Sequence, residues 1–441
     1  MARLETWGLG VVATAAGAAA LVACSGASSV PADPLAYLHD PSFRRAELTA
    51  SLVNPANEYS SLRLAHYDTG DASDWSLLPE WNPTLEPVAA AELDAPGGAS
   101  TASMSASAAP LALPGSVTSM DDSALVALGE VAFRRYPVQL TPSLGVALQS
   151  RGQAARYGLW VDEARGVGGV VRARMPDGSV ALEMTCSTCH SAHDASGRWT
   201  PGLPDSRFDL GAAMLFAQGG LLSPALSAQL AAWGPGRLDV TTREGTEPVR
   251  IPDLRPARWL TYLQQDATVR ARDRVALAIR IETLVVTSNA SLVRPPRLVA
   301  LALAAYLCSL ADALPGLDQA AVASPRGAAL FASHCASCHA DPGLTGEPVP
   351  LARVGTDPAL GRSKVRGTGT YRVPSLRGVG TRGPLLHDGT IPSLAALLDP
   401  ARLDSSFDRR LHGAGAVPGH AFGLNLPAAD RAALAAYLGA L

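Results

Sequence analysis

Two pentapeptides of the same form carry the residues most able to do chemistry. They are Cys186-Ser-Thr-Cys189-His190 and Cys335-Ala-Ser-Cys338-His339. Cys-x-x-Cys-His is the attachment sequence of c-type haem: the thiols form thioethers to the haem vinyl groups and the histidine nitrogen binds the iron. A redox dithiol or half of a zinc site does not require the trailing histidine, which both copies have. We therefore predict two covalently attached haem c groups.

The N-terminus has the features of an export signal. Arg3 precedes an apolar run over residues 8–22, which is too short to span a bilayer comfortably and is typical of a signal-peptide core. The run ends in Leu21-Val22-Ala23-Cys24, which resembles a bacterial lipobox. This predicts a signal peptide over residues 1–23, lipidation of Cys24, and a periplasm-facing protein anchored to a membrane, with the outer membrane favoured. The alternative is an ordinary signal peptide in which Cys24 is incidental.

Length and charge limit the remaining possibilities. A chain of 441 residues has room for two or three domains. Its net charge is -3, so nothing indicates a nucleic-acid partner. Residues 24–118 are poor in periodicity and, from 84 onward, rich in Ala, Pro, Ser and Gly. Such a composition predicts an irregular segment ending in a disordered tether.

The remainder of the chain contains an internal repeat. Gly129 and Phe133 are spaced as Gly327 and Phe331 are, and the sequence Ala-Ala-Tyr-Leu occurs at 304–307 and again at 435–438. Each copy thus has an opening helix, one haem motif and a closing helix, which is the plan of a cytochrome c domain. We predict a mostly α fold with a first cytochrome c-like domain over 119–316 and a second over 317–441. Before the first motif, residues 170–182 predict a small β-hairpin insertion.

The remaining histidines and methionines limit the choice of a second axial ligand for each iron. No Met follows Met214, so for the second haem we consider His387, His412 and His420, and favour His420 because it lies in a glycine-flanked loop before the last helix. For the first haem, His193 is too close to His190 in sequence to reach the opposite face. The methionines considered there are Met175, Met184 and Met214, and core packing is the commoner role of a Met. We therefore expect the first iron to lack a strong protein ligand on its far side.

One stretch of the second domain resembles a known family. Residues 369–379 read Gly-Thr-Tyr-Arg-Val-Pro-Ser-Leu-Arg-Gly-Val, and residues 386–390 read Leu-His-Asp-Gly-Thr. They resemble the C-terminal domain of bacterial di-haem cytochrome c peroxidases and of the methylamine-utilisation di-haem enzyme. The resemblance implies a reactive N-terminal haem, a C-terminal haem that passes electrons to it, and an arginine near haem, here Arg377. Arg372 and Arg377 are both candidates to contact the haem propionates, because arginine suits bidentate contact with carboxylates. The resemblance also implies a bridging tryptophan, for which Trp199, Trp233 and Trp259 are candidates.

The sequence differs from the family pattern at one expected haem ligand, so more than one function is considered. Family peroxidases use Met on the far side of the C-terminal haem, which is absent here; rubber oxygenases, a di-haem branch of the superfamily, are similar on this point. We expect a peroxidase-like oxidoreductase, with a non-catalytic electron carrier or respiratory subunit and an oxidase or oxygenase as alternatives. A small donor protein or the quinol pool would supply electrons, and peroxide or oxygen would accept them. Candidate proton-transfer groups at the reactive haem are Asp205, Asp209, Glu244 and Glu247.

Overall fold

The computed structural model describes residues 34–100, 102–115, 120–239, 247–271 and 273–441. The signal peptide, Cys24 and Glu244 lie outside these residues. The model is about 44% helical and 13% strand, which agrees with the prediction of a mostly α fold.

Sixteen α-helices and fourteen short strands make up the regular part of the described residues. The helices are α1 (Pro34–His39), α2 (Pro41–Ser51), α3 (Glu58–His66), α4 (Asp122–Arg135), α5 (Arg151–Arg156), α6 (Cys186–Cys189), α7 (Leu210–Gln218), α8 (Pro224–Trp233), α9 (Arg274–Ser288), α10 (Arg297–Ser309), α11 (Leu317–Ala323), α12 (Pro325–His334), α13 (Leu351–Val354), α14 (Ala359–Arg362), α15 (Leu394–Leu397) and α16 (Ala428–Ala440). The strands are β1 (Leu85–Pro87), β2 (Gln139–Leu140), β3 (Val161–Asp162), β4 (Gly166–Val167), β5 (Val170–Arg174), β6 (Val180–Met184), β7 (Ser191–His193), β8 (Trp199–Pro201), β9 (Arg237–Leu238), β10 (Val249–Arg250), β11 (Tyr262–Leu263), β12 (Val269–Arg270), β13 (Gly346–Pro350) and β14 (Thr370–Val373).

The predicted hairpin is present and is the centre of a four-stranded antiparallel sheet with the order β1-β5-β6-β2. Val170 pairs with Met184 and Arg174 with Val180, so a tight turn closes the hairpin between them. Gly178 lies in that turn with a φ of 84°, a conformation that favours glycine. The strand β6 ends two residues before Cys186, and the sheet therefore fixes where the first haem motif begins.

The prediction of a disordered tether is wrong for the described residues of this segment. Leu85 is fully buried and pairs with Ala173 at the edge of the sheet. Val88, Leu93 and Leu111 are also buried against the first unit. The prediction was based on the low content of apolar residues in this segment. Composition does not show that the neighbouring sheet provides packing partners for the few apolar residues that are present.

The helices α1 to α3 are likewise part of the fold, contrary to the prediction of an irregular region. The hydroxyl groups of Tyr37 and Tyr67 both donate to the Glu282 carboxylate on α9, at 3.0 and 2.7 Å. Arg44 forms a buried ion pair with Asp68 at 2.7 Å. Such charges are tolerated away from water only when they are paired and hydrogen-bonded, and here the pairing ties the N-terminal helices to the first unit.

Two helix crossings repeat the same contacts, as the internal repeat predicts. A Cβ atom on Gly129 of α4 would lie 2.0 Å from the Ala302 carbonyl oxygen of α10, and one on Gly327 of α12 would lie 2.2 Å from that of Ala433 of α16. Only glycine permits these close approaches. One turn further along each pair, Phe133 packs on Tyr306 and Phe331 packs on Tyr437, with ring centroids 5.3 Å apart in both cases.

Among the described residues, one helical stretch, Arg297–Ala323, is long and apolar enough to cross a membrane. Its most apolar window is 72% buried inside the fold. The helix α10 packs against both α4 and α9. Within this stretch, α10 is therefore a core helix of the first unit.

Candidate haem sites

Each haem motif is wound into a single turn that places its two thiols and its histidine together. In the first motif this turn is α6, and the backbone N–H of His190 donates to the Cys186 carbonyl at 3.1 Å. In the second motif the N–H of His339 donates to the Cys335 carbonyl at 3.0 Å. The helices α4 and α12 cross their partners beside these turns, so the repeated crossing positions both motifs.

Both motif histidines are oriented by a backbone carbonyl. The Nδ1 atom of His190 lies 3.0 Å from the carbonyl oxygen of Pro252, and that of His339 lies 3.0 Å from the carbonyl oxygen of Leu344. A hydrogen bond at Nδ1 fixes the ring and leaves Nε2 for a metal. Burial lowers the pKa of His190 to about 4 and also lowers the pKa of His339. Both rings are therefore neutral at pH 7, as an iron ligand must be.

A cleft opens above His339. It includes Cys335 and Cys338 in its wall. Most of its lining is apolar, which suits a flat hydrophobic cofactor. The aliphatic side chains in this lining are Val349, Val354, Val373, Leu376, Val379, Leu385, Leu386, Leu394, Leu397, Leu398, Leu434 and Leu438.

His420 lies in this cleft with its ring facing that of His339. The two ring centroids are 6.5 Å apart and the rings are inclined at 66°. A metal–imidazole bond is about 2 Å long, so two imidazoles on opposite sides of one metal have centroids roughly 6 Å apart. Burial, followed by the nearby His339, lowers the pKa of His420 to about 4. The pair therefore fits the two axial positions of one haem iron.

Arg402, a residue that the sequence analysis did not single out, holds the His420 loop. It is fully buried and donates to the carbonyl oxygens of Val417, Gly419 (2.8 Å) and His420 (2.7 Å). A Cβ atom on Gly419 would lie 2.4 Å from the Gly355 carbonyl oxygen, so the loop also needs a glycine at this close approach. No spacing pattern links Arg402 to the loop, because the connection is made through backbone carbonyls.

The other two histidine candidates occupy different positions. His387 lines the same cleft, where its ring stacks on Tyr371 at 4.2 Å. His412 does not line the cleft, and its Nε2 atom lies 3.5 Å from the Asp388 carbonyl oxygen. His420 is the one of the three whose ring lies against that of His339, and it remains the predicted second ligand.

Three arginines line the cleft beside His339, and Arg377 is not among them. They are Arg250, Arg372 and Arg382, and burial together with their mutual repulsion lowers the pKa of Arg250 to about 9 and that of Arg372 to about 10. Asp253 is the carboxylate nearest to Arg382, at 3.7 Å, and it also pairs with Arg255 at 2.7 Å. The excess positive charge fits an incoming group with carboxylates, such as the haem propionates.

Arg377, which was expected to lie near the haem, does not line the cleft. Its guanidinium lies 4.5 Å from the ring centroid of Trp259 and donates to the carbonyl oxygens of Pro315 and Pro342. Arg372, the other arginine considered from the sequence, lines the cleft, and so does Arg382. The side chain at 377 points instead at loops around the motif.

The first motif lies in a more enclosed setting. The Nε1 atom of Trp160 donates to the Ser187 carbonyl at 3.3 Å, and Trp160 packs against Trp199 with centroids 5.9 Å apart. Burial raises the pKa of the Cys186 thiol to about 12 and raises that of Cys189 further. These thiols are therefore protonated in the protein without haem.

Asp205 stands apart from the other candidate acids of the first unit. Its backbone N–H donates to the Cys189 carbonyl at 2.9 Å, and its Oδ2 atom is buried with no hydrogen-bond partner in the described part of the chain. Burial raises its pKa to about 6. Asp209 caps the N-terminus of α7, and Glu247 lies 3.7 Å from Arg366. Asp205 is thus the candidate best placed to hold a proton beside the first motif.

The methionines of the first unit are found in packing positions. Met184 is buried in a core cluster with Leu182 and Val170, and Met214 packs against the same cluster. Met175 packs against Trp81 and Val293. These contacts are the core-packing role that is common for methionine.

A short backbone segment connects the two sites. Pro252 accepts the hydrogen bond from His190, and two residues earlier the N–H of Arg250 donates to the His387 carbonyl at 3.0 Å. Of the tryptophan candidates, Trp259 lies against the loop that follows the second motif, where a Cβ on Gly343 would meet its side chain at 2.3 Å. Trp233 is buried between α7 and α8.

A comparison with protein families bears on the second unit. Residues 324–441 match the family model described as Cytochrome c. The C-terminal unit is a cytochrome c domain. A cytochrome c domain implies covalently bound haem c and suggests a role in electron transfer. A comparison with curated proteins finds no match to the chain. Among the described residues, no cluster of three or more Cys, His, Asp or Glu side chains forms a separate metal site.

Proposed function

We propose that the chain is an exported di-haem c-type cytochrome with a peroxidase-like activity, in which the haem at His339 passes electrons to a reactive haem at His190. One observation carries the proposal: the first motif has the same local geometry as the motif of the cytochrome c domain. In both, the histidine Nδ1 lies 3.0 Å from a backbone carbonyl oxygen, and a Gly-Phe helix crosses a tyrosine-bearing helix beside the motif.

The difference between the two sites supports separate roles. His420 stands opposite His339, which favours a six-coordinate electron carrier at the second site. The histidines of the N-terminal half offer no such partner among the described residues: His193 lies 4.0 Å from Asp162, His66 stacks on Trp75, and His39 is exposed. An open iron position at the first site would supply peroxide or oxygen activation.

The protein groups around the first site have roles that follow from their positions. The Pro252 carbonyl orients His190. Asp205 would hold or accept a proton beside the motif, since burial brings its pKa to about 6 and its Oδ2 atom lacks a partner among the described residues. The segment from Arg250 to Pro252 offers a short hydrogen-bonded path from the wall of the second cleft to the ligand of the first.

The first experiment counts the haems and assigns them. The haem-loaded full chain should contain two covalent haems per chain by haemochrome absorbance, and the Cys186→Ala/Cys189→Ala and Cys335→Ala/Cys338→Ala variants should each retain one. A single haem in the unaltered protein, lost only with the second pair, would refute the di-haem assignment.

Electron paramagnetic resonance then tests the division of roles. One high-spin and one low-spin ferric signal, with turnover of peroxide by a reduced donor protein or a quinol, is the expected result. Two low-spin signals that persist after half-reduction, together with no peroxide turnover, would make the chain a di-haem electron carrier. Oxygen consumption with an organic substrate and no peroxide turnover would indicate an oxygenase.

A further inference from the structure

The helices α7 and α8 form a hairpin that carries no ionisable side chain. From Leu210 to Trp233 the sequence contains only apolar residues, Gly, Ser, Gln and Pro. A surface hairpin in a soluble domain normally has charged residues on its outward face. The exposed positions of this hairpin instead include Ala217, Ala225 and Ala228.

The apolar character is concentrated at the tip. Leu221, in the turn that joins the two helices, is 91% exposed. Phe216, near the end of α7, is 54% exposed, and its ring centroid lies 6.4 Å from that of Tyr157. At the base, Leu210, Leu230 and Trp233 are buried. A Cβ atom on Gly211 would lie 2.4 Å from the Leu230 carbonyl oxygen, so the two helices are closely packed. The hairpin therefore exposes Leu221 and about half of Phe216 at the end of a closely packed pair of helices.

A cationic side chain lies beside the exposed part of the hairpin. The Arg156 guanidinium lies 5.7 Å from the Phe216 ring centroid and is exposed. An apolar surface edged by arginine is typical of segments that lie in a membrane interface, where the apolar part enters the acyl region and the arginine contacts anionic headgroups. A protein partner would more commonly meet a polar rim with mixed charges.

The position of the folded part along the chain adds a second argument. The described fold begins at Pro34, ten residues after the predicted lipid-bearing Cys24. Ten residues span at most about 35 Å. If Cys24 is lipidated, the fold is held within about its own diameter of the bilayer, rather than at the end of the long tether that the composition predicted.

We propose that the tip of the α7–α8 hairpin is a membrane-contact site that inserts Phe216 and Leu221 into the interface of an anionic bilayer. This contact is independent of the redox function. It would orient the folded part on the membrane, which attachment at a single point does not do.

The test uses the full haem-loaded chain on vesicles of phosphatidylethanolamine and phosphatidylglycerol. Leu221→Cys and a matched control, Val322→Cys, are compared, because Val322 is a lone apolar residue, 81% exposed, on α11 of the other unit. Bound protein is collected by sedimentation and the rate of labelling by a water-soluble maleimide is read by mass. Vesicles should slow labelling at residue 221 by about tenfold or more and leave that at residue 322 within about twofold.

Three outcomes would overturn the proposal. They are equal labelling rates at both positions on vesicles, failure of the protein to sediment with vesicles, and protection of residue 221 at high protein concentration without lipid. The last result would assign the tip to contact between copies of the chain. As a second measurement, Leu221→Ser should reduce insertion into a lipid monolayer while Val322→Ser does not, and both variants should keep the unaltered haem spectrum, which separates insertion from folding.

Discussion

The proposed chemistry of this protein depends on a few histidine side chains, and backbone carbonyl groups orient the rings of two of them. The carbonyl groups of Pro252 and Leu344 engage Nδ1 of the two motif histidines, so Nε2 is the ring nitrogen left to bind a metal. His420 has no such partner: its Nδ1 atom is buried without a hydrogen bond to any described residue. Its ring is positioned instead through its backbone, which Arg402 and Val354 hold.

Replacing His420 tests its role as the second ligand of the second iron. In His420→Ala, we expect both haems to remain attached and the low-spin ferric signal to be replaced by a high-spin one, because an axial nitrogen has been removed. His412→Ala is the matched control and should leave the spectrum unchanged, since His412 does not line the cleft. Absorbance and paramagnetic resonance of the ferric proteins measure the effect. A retained low-spin signal in His420→Ala would exclude His420 as the ligand.

Asp205 predicts a pH dependence of stability. Burial raises its folded-state pKa to about 6, above the value of about 4 in the unfolded chain. The folded state therefore binds the proton more tightly, so this stabilisation is fully present below about pH 4 and is lost as the pH rises through 6. Asp205→Asn should remove a decrease of about 3 kcal/mol in the free energy of unfolding between pH 4 and 7.

Urea unfolding of the haem-loaded protein at a series of pH values measures this difference. Glu163→Gln is a suitable control because the Glu163 carboxylate is exposed and belongs to the same unit. It should keep the slope of the unaltered protein. An equal slope in Asp205→Asn would mean that the carboxylate is solvated or paired in the haem-loaded protein.

A crossed helix pair occurs twice in the fold. The pairs α4–α10 and α12–α16 both approach closely at a glycine and continue into a Phe–Tyr contact one turn later. The close approach fixes the position of the helix that precedes each haem motif.

A methyl group at the closest point of a crossing should be costly. Gly327→Ala should lower the free energy of unfolding by about 2 kcal/mol or more, because its Cβ would lie 2.2 Å from a backbone oxygen and the helices must separate. Gly439→Ala, on α16, is the control: its Cβ meets no atom within 4 Å, so higher helix propensity should raise stability by about 0.5–1 kcal/mol. Denaturant unfolding measures both, and a neutral Gly327→Ala would mean that the helices can shift freely.

At the scale of the molecule, the N-terminal segment encloses the first unit. Its helices pair through Tyr37, Tyr67 and Asp68 with side chains of α9 and α10, and β1 adds a strand to the sheet. The segment over 247–271 lies between the two haem motifs and contacts both. In the described residues, the N-terminal segment therefore packs on the first unit, and the segment over 247–271 connects the surroundings of the two motifs. Both segments lie outside the repeated helices.

The buried Glu282 gives a test of this wrapping. Glu282→Gln removes the charge that accepts two tyrosine hydroxyls and pairs with Arg297 at 3.1 Å. Breaking a buried pair from one side costs about 3–5 kcal/mol. We expect a loss of that size and faster proteolysis within residues 34–68. The exposed Glu130→Gln should change the free energy of unfolding by less than about 0.5 kcal/mol, and equal digestion patterns of the two variants would show that the network does not hold the segment.

The features that could be predicted from the sequence are those that depend on residues close together in the chain. The haem motifs, the hairpin before the first of them and the spacing of Gly and Phe all lie within a few turns of chain, where residue type and spacing specify the geometry. Composition failed at residues 84–115, because their few apolar side chains are ordered by partners far away in the chain. Only the tertiary structure shows that Arg372 lines the cleft and Arg377 does not, that Arg402 holds the His420 loop, and that Asp205 lies buried beside Cys189. These contacts join segments through backbone carbonyls and buried charge, and such contacts leave no periodic pattern in a sequence.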